Sequence, residues 1–166
     1  MAIETLAVGV IAEKRKSESI WIDHTWSAFA VVPDFPEAAR MTLIDRNGDG
    51  ERYYIGASTV TLASAETANY RDNLTSGAAK LWVVMREQPE DGSLDLVAVT
   101  ADPSEGEGFT ESGSNIVDTV PMAPEIAAFV AAFVDEHHVE REFFKRKRDR
   151  LDPEKLGRRR PGQGMG

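Results

Sequence analysis

Residues 21–26 place an aspartate and a histidine between two tryptophans. An Asp–His pair can transfer protons, and the imidazole of such a pair can also bind a metal ion. The sequence around Asp23 and His24 offers no glycine-flanked serine as a nucleophile and no second nearby histidine. We therefore favour a structural interpretation, in which Trp21 and Trp26 close one end of a sheet and His24 makes a buried hydrogen bond. A partner-contact patch is the third interpretation, because tryptophan is enriched among the residues that dominate binding energy at interfaces.

A second cluster of chemically capable residues contains Glu136, His137, His138 and Glu140. Adjacent helical residues point about 100° apart, so the two imidazoles do not converge on one ion as an i, i+4 pair would. Imidazoles also suit the C-terminus of a helix, where the helix dipole favours positive charge. A structural role is favoured again, and the sequence assigns neither a metal site nor a catalytic residue. A small enzyme or metal protein built on Asp23, His24, His137 and His138 remains an alternative.

Residues 45–50 resemble the opening of a calcium-binding EF loop, with Asp45, Asn47 and Asp49 at alternate positions. The twelfth position of that loop needs a bidentate glutamate and is occupied here by Gly56. We therefore interpret residues 45–50 as an acidic hairpin turn.

The C-terminal residues 145–160 carry the opposite charge to the rest of the chain. They hold nine Lys or Arg against three Asp or Glu, a net charge of +6, whereas residues 1–144 have a net charge of -15. A charge block of this kind is typical of an interaction arm. Next to the aromatic pair Phe143 and Phe144, it can bind nucleic acid by stacking and phosphate contacts. It can equally anchor the chain on a partner protein, with charges steering the encounter.

Composition restricts the class of protein. A chain of 166 residues predicts one domain with a sizeable core. The longest apolar run, residues 126–134, covers barely half of a membrane span, and no signal peptide is recognisable, so we expect a cytoplasmic protein. The chain has no cysteine and therefore cannot itself bind an iron–sulfur cluster or a cysteine zinc site.

The elements that position these residues are mostly strands in the first hundred residues and helices near the end. Strands are predicted at residues 3–11, 26–32, 41–44, 52–56, 59–62, 80–86, 94–100 and 116–120. Helices are predicted at residues 64–74, from residue 103, and at residues 124–138, where apolar side chains recur at helical spacing. The connections are too short for crossover helices.

These elements predict an α+β fold with a mostly antiparallel, possibly barrel-like sheet. A short helix follows the fourth or fifth strand, and a C-terminal amphipathic helix leads into an extended basic tail. We assign residues 1–140 to an acidic α+β domain and residues 141–166 to a basic C-terminal arm.

Several of these segments together resemble a small bacterial family, the domain of unknown function 3305. The resemblance lies in residues 8–15, in Trp21-x-Asp23-His24-x-Trp26, and in residues 65–74, 120–140 and 143–148. Similar members of that family are encoded beside genes for molybdenum- or tungsten-dependent formate dehydrogenases. The family has no established activity, so the resemblance implies no catalytic residue or cofactor for this chain.

The resemblance implies a non-catalytic accessory subunit or assembly factor of such a formate dehydrogenase. The large catalytic subunit is then expected to carry the molybdopterin, the molybdenum or tungsten ion and the iron–sulfur clusters. The residues expected to contact it are Trp21, Asp23, His24, Trp26, Phe143, Phe144, Lys145, Arg146, Lys147, Arg148, Arg150, Arg158, Arg159 and Arg160. The alternative is a nucleic-acid-binding module that uses the basic arm.

Overall fold

A computed structural model describes residues 1–111 and 113–151, the helical residues 139–151 by their backbone alone. The first half of the described chain contains β1 (Ile3–Lys16), β2 (His24–Val32), β3 (Thr42–Asn47), β4 (Gly50–Ala63), a 3-10 turn (Ser64–Glu66) and α1 (Thr67–Leu74). The second half contains β5 (Lys80–Glu87), β6 (Leu94–Thr100), α2 (Pro103–Thr110), β7 (Ile116–Pro121) and α3 (Pro124–Leu151). The predicted α+β class is confirmed.

The strands form two antiparallel sheets, with strand orders β2-β1-β4-β3 and β6-β5-β7. Among the described residues no strand pairing joins the two sheets, so the barrel-like form is not closed. Side chains make the connection instead. Where β2 passes β7, the Ala28 N–H donates to the Asp118 carboxylate at 2.9 Å and not to a strand carbonyl.

One hydrophobic core fills the space between the sheets and α3. The sheets contribute Val8 and Val10 from β1, and Leu81 and Val83 from β5, all fully buried. The predicted apolar stripe of α3 is confirmed: Ile126, Val130, Phe133 and Val134 are buried and Phe129 is partly buried against them. Full burial of each such aliphatic side chain stabilises the fold by about 1.5–3 kcal/mol.

The strands β1 and β4 are longer than the sequence pattern indicates. Segments 52–56 and 59–62, predicted as separate strands, are both parts of β4, whose ladder to β1 continues through a bulge at Ile55 and Gly56. The backbone of Gly56 has φ 133°, a conformation that glycine adopts without strain. The basic residues expected to end β1 lie inside it, because β2 and β4 pair with both of its edges as far as Arg15.

The helix α3 continues past its predicted end at His138 to Leu151. Residues 139–151 contain no glycine or proline and are rich in Glu, Lys and Arg, which favour helix. Phe143, Phe144 and residues 145–150 therefore lie on this helix and not in an extended tail, and the boundary assigned at residue 140 falls within it. Arg158, Arg159 and Arg160 lie outside the described residues. In the part of the chain that is described, no helix is long and apolar enough to span a membrane.

Candidate partner-binding surface

The loop of residues 17–23 joins β1 to β2 and is shaped by its own serines. The Ser17 N–H donates to the Asp23 carbonyl at 3.1 Å, which closes the base of the loop. The Ser17 hydroxyl accepts from the Ser19 N–H at 3.0 Å, and the Ser19 hydroxyl accepts from the Trp21 N–H at 3.1 Å. Such local bonds satisfy backbone donors that the sheet no longer pairs. They fix the path of the chain at the tip of the hairpin.

Three consecutive large apolar side chains stand out from this loop. Ile20 and Trp21 are each 87% exposed, and Ile22 is 52% exposed. We call these three residues the apolar tip. Single exposed apolar residues are ordinary on a protein surface, whereas a contiguous group is typical of an interaction site. The apolar tip is therefore a candidate binding surface.

Trp26 lies in the core and is only 7% exposed. Its ring packs edge-on against His24 and Tyr53, at centroid distances of 6.2 and 5.6 Å. The Lys14 ammonium lies 5.7 Å from the same ring. A buried ring offers a partner no contact area, so Trp26 is removed from the predicted contact residues. The two tryptophans of the motif thus differ: Trp21 is at the surface, and Trp26 belongs to the core.

His24 is held by a carboxylate from the second sheet. Its Nε2 atom lies 2.6 Å from Oε2 of Glu87, at the end of β5 and 63 residues away in sequence. The histidine is partly exposed, with 24% of its side chain accessible. Its carboxylate partner is therefore Glu87 and not the neighbouring Asp23 that the sequence suggested. The contact joins the start of β2 to β5 and so braces the base of the loop.

A charged cleft of about 320 Å³ lies beside this loop. It is lined by Lys14, Lys16, Asp23, His24, Arg46, Gly48, Asp49 and Glu51. The Lys16 N–H donates to the Asp49 carbonyl at 3.4 Å, which holds the loop next to the β3–β4 turn.

Glu51 is the best-connected carboxylate of the cleft. It accepts hydrogen bonds from the Tyr53 hydroxyl at 2.7 Å and from Arg46 Nε at 3.1 Å, and these donors hold the pKa of Glu51 below its usual value. The hydrogen bond to the Glu51 carboxylate raises the pKa of Tyr53. The apolar tip thus has a rim of charges of both signs beside it, which is the usual arrangement of a protein interface.

The remaining candidate residues lie in a hairpin turn or contact other residues of the fold. Residues 45–50 contain the predicted hairpin turn, which is shorter than the pattern indicates: β3 continues to Asn47, and Asn47 pairs with Gly50 across Gly48 and Asp49. His138 contacts Thr67 through Nδ1 at 3.3 Å and Arg71 through Nε2 at 3.4 Å, whereas the His137 ring packs on Phe133 at 4.5 Å. The two adjacent imidazoles therefore face different neighbours.

Sequence reasoning selected Trp21 but missed its neighbour Ile20 and the carboxylate of Glu87. A signal for Ile20 was present, because three apolar residues follow the polar segment 16–19 in a predicted connection. Nothing in the sequence marked Glu87, since its meeting with His24 depends on how the two sheets lie together.

Neither the curated proteins nor the solved structures contain a match to this chain. A family model does match it, over residues 7–148, and this range contains the loop, all strands except the first four residues of β1, and most of α3. The chain belongs to the family described as "Protein of unknown function (DUF3305)".

Proposed function

We propose that this protein is a non-catalytic, cytoplasmic accessory subunit or assembly factor of a molybdenum- or tungsten-dependent formate dehydrogenase. The observation that carries the binding role is the apolar tip, whose three exposed side chains project from a hairpin. The identity of the partner follows from the family resemblance and the gene neighbourhood of that family. The large catalytic subunit is the expected partner.

The apolar tip is suited to binding because its support is rigid. Trp26 packs into the core against His24, the residue that follows the loop, and the His24–Glu87 contact ties the end of the loop to the second sheet. A preorganised loop loses little conformational freedom when it binds, so more of the contact energy appears as affinity. Trp21 is the expected anchor, since a buried interface tryptophan commonly contributes at least about 2 kcal/mol.

The proposal divides the chemistry between two proteins. The chain has no cysteine, so the iron–sulfur clusters belong to the partner together with molybdopterin and its metal. The basic residues 145–160 would approach an acidic region of the partner and increase the rate of encounter. The apolar tip would then supply the contact that keeps the two proteins together.

The test is co-purification from the native host with a tag on the N-terminus. We expect the wild-type chain to bring down a stoichiometric large molybdopterin protein with formate-dependent dye reduction. Trp21→Ser should weaken this complex by about 30-fold or more, the equivalent of 2 kcal/mol. Val97→Ser is the matched control, because Val97 is 38% exposed on β6 in the other sheet. A wild-type chain that purifies alone, or a Trp21→Ser chain that binds normally, would contradict the proposal.

A second candidate function is nucleic-acid binding by the basic arm. The structure of α3 favours nucleic-acid binding, because Phe144 and the basic residues of the segment 145–150 lie together on one helix. The net charge of -15 on residues 1–144 opposes it by repelling a polyanion. Binding of this kind must fall steeply as salt increases. Negligible binding of DNA and RNA at low salt would eliminate this candidate.

A further inference from the structure

Three potential metal ligands from opposite ends of the sequence meet at the start of β1. Glu4 lies on β1, and Glu136 and His137 lie on α3. One ligand atom from each residue can be chosen so that all three lie within 4.8 Å of one another. Glu4 is far in sequence from the cluster at residues 136–140, and only the fold brings it beside Glu136 and His137.

The imidazole of His137 has an unused nitrogen at this position. Its Nε2 atom is buried and has no hydrogen-bond partner. Oε2 of Glu136 lies 3.8 Å from that nitrogen, which is too far for a hydrogen bond. The ring itself is held by Phe133, at a centroid distance of 4.5 Å. A buried polar atom without a partner costs free energy, and a bound cation would remove that cost.

We propose that Glu4, Glu136 and His137 bind one divalent transition-metal ion of the zinc class. Two carboxylates and one neutral imidazole are suitable zinc ligands, and they balance the charge of the ion. Tetrahedral zinc with bonds of about 2.0–2.2 Å needs ligand atoms about 3.3 Å apart. Glu4 and Glu136 are exposed, so rotation of their side chains can close the remaining gap. Water would occupy the fourth position.

The site would fasten β1 to α3 at the point where the helix continues into residues 139–151. His138 takes no part, because it contacts Thr67 and Arg71 on α1. The ion would thus stiffen the base of the helix that carries the basic residues. This role is independent of which partner the protein binds.

Calorimetric titration of the full, untagged, metal-free chain with zinc chloride tests the proposal. We expect one zinc ion per chain and a higher midpoint of thermal unfolding with zinc. Glu4→Gln and His137→Gln should each weaken binding by at least about tenfold, since each removes a direct ligand. His138→Gln is the matched control and should bind zinc as the wild type does.

Absence of zinc binding by the wild-type chain would overturn the proposal. Zinc binding that Glu4→Gln leaves unchanged would overturn it as well, because the ion would then lie elsewhere. Glu4 is exposed on the first strand, so Glu4→Gln is expected to fold normally. Glu136→Gln provides a second exposed variant with the same expected loss.

Discussion

At the scale of single residues, Asn73 shows how a polar side chain within the family-like segment 65–74 serves the fold. It is buried at the end of α1, and its amide makes three hydrogen bonds. Nδ2 donates to the carbonyls of Lys80 and Ala101 at 2.8 and 2.9 Å, and Oδ1 accepts from the Lys80 N–H at 3.1 Å. One side chain thus connects α1 to β5 and to the end of β6.

Replacing Asn73 with alanine should destabilise the protein strongly. The change leaves three backbone groups without partners, and an unpaired buried group costs about 1–3 kcal/mol. We expect the free energy of unfolding in urea to fall by about 3 kcal/mol. Asp72→Ala, at the adjacent exposed position of α1, should change it by less than about 0.5 kcal/mol. Equal urea midpoints for the two variants would show that the Asn73 bonds do not stabilise the fold.

Residue types indicated a candidate surface but not the surroundings of each side chain in it. The motif of residues 21–26 drew attention to this hairpin, but its two tryptophans could not be distinguished by type. Trp26 is buried because it lies within β2 and faces the core, whereas Trp21 lies in the loop before the strand. Glu4 and Glu87 were unmarked, since contacts between residues so far apart arise only from tertiary packing.

At the scale of elements, α2 is positioned by a cap and by one glycine. The Asp102 carboxylate accepts from the N–H groups of Ser104 and Glu105, at 2.9 and 3.4 Å, and so begins the helix. Gly106 faces β5, where a Cβ atom would lie only 2.2 Å from Cγ of Trp82. Nothing lies within 4 Å of the corresponding position at Gly108. The two glycines therefore have different reasons to occur in one helix.

Alanine at these two positions should have opposite effects on stability. Gly106→Ala forces α2 away from Trp82 and should destabilise the protein by about 1–3 kcal/mol. Gly108→Ala adds a better helix former in open space and should stabilise it by up to about 1 kcal/mol. Thermal unfolding of both variants measures the difference. A neutral or stabilising effect of Gly106→Ala would show that α2 does not pack closely through Gly106.

Element boundaries followed from sequence wherever local signals were strong. The strand at residues 94–100 and the helix start at Pro103 were predicted where they occur, since a turn and a proline mark them. The separation of β4 into two strands was wrong, because a glycine within the strand marks a bulge and not an end. The continuation of α3 was missed because a dense run of charge was interpreted as a solvated tail.

At the scale of the whole molecule, the described core residues and the basic segment lie in different parts of the sequence. Among the residues whose side chains are described, the buried hydrophobic residues of the core extend from Val8 to Val134 in sequence, before residues 145–160. Residues 1–144, the body of the molecule, have a net charge of -15, and residues 145–160 have a net charge of +6. An acidic partner region would therefore attract the basic segment and repel the body. This opposition would orient the chain as it approaches the partner.

Removal of residues 145–166 should leave the fold intact and release the partner. The core residues whose burial is described end at Val134, so the midpoint of thermal unfolding should stay close to that of the full chain. Co-purification of the large catalytic subunit should be lost, because the attraction supplied by nine basic side chains disappears. A chain that lacks only residues 161–166 keeps every basic residue and should bind normally. If the chain that lacks residues 145–166 retains its partner at wild-type yield, the basic arm has no part in docking. The apolar tip alone must then account for the binding.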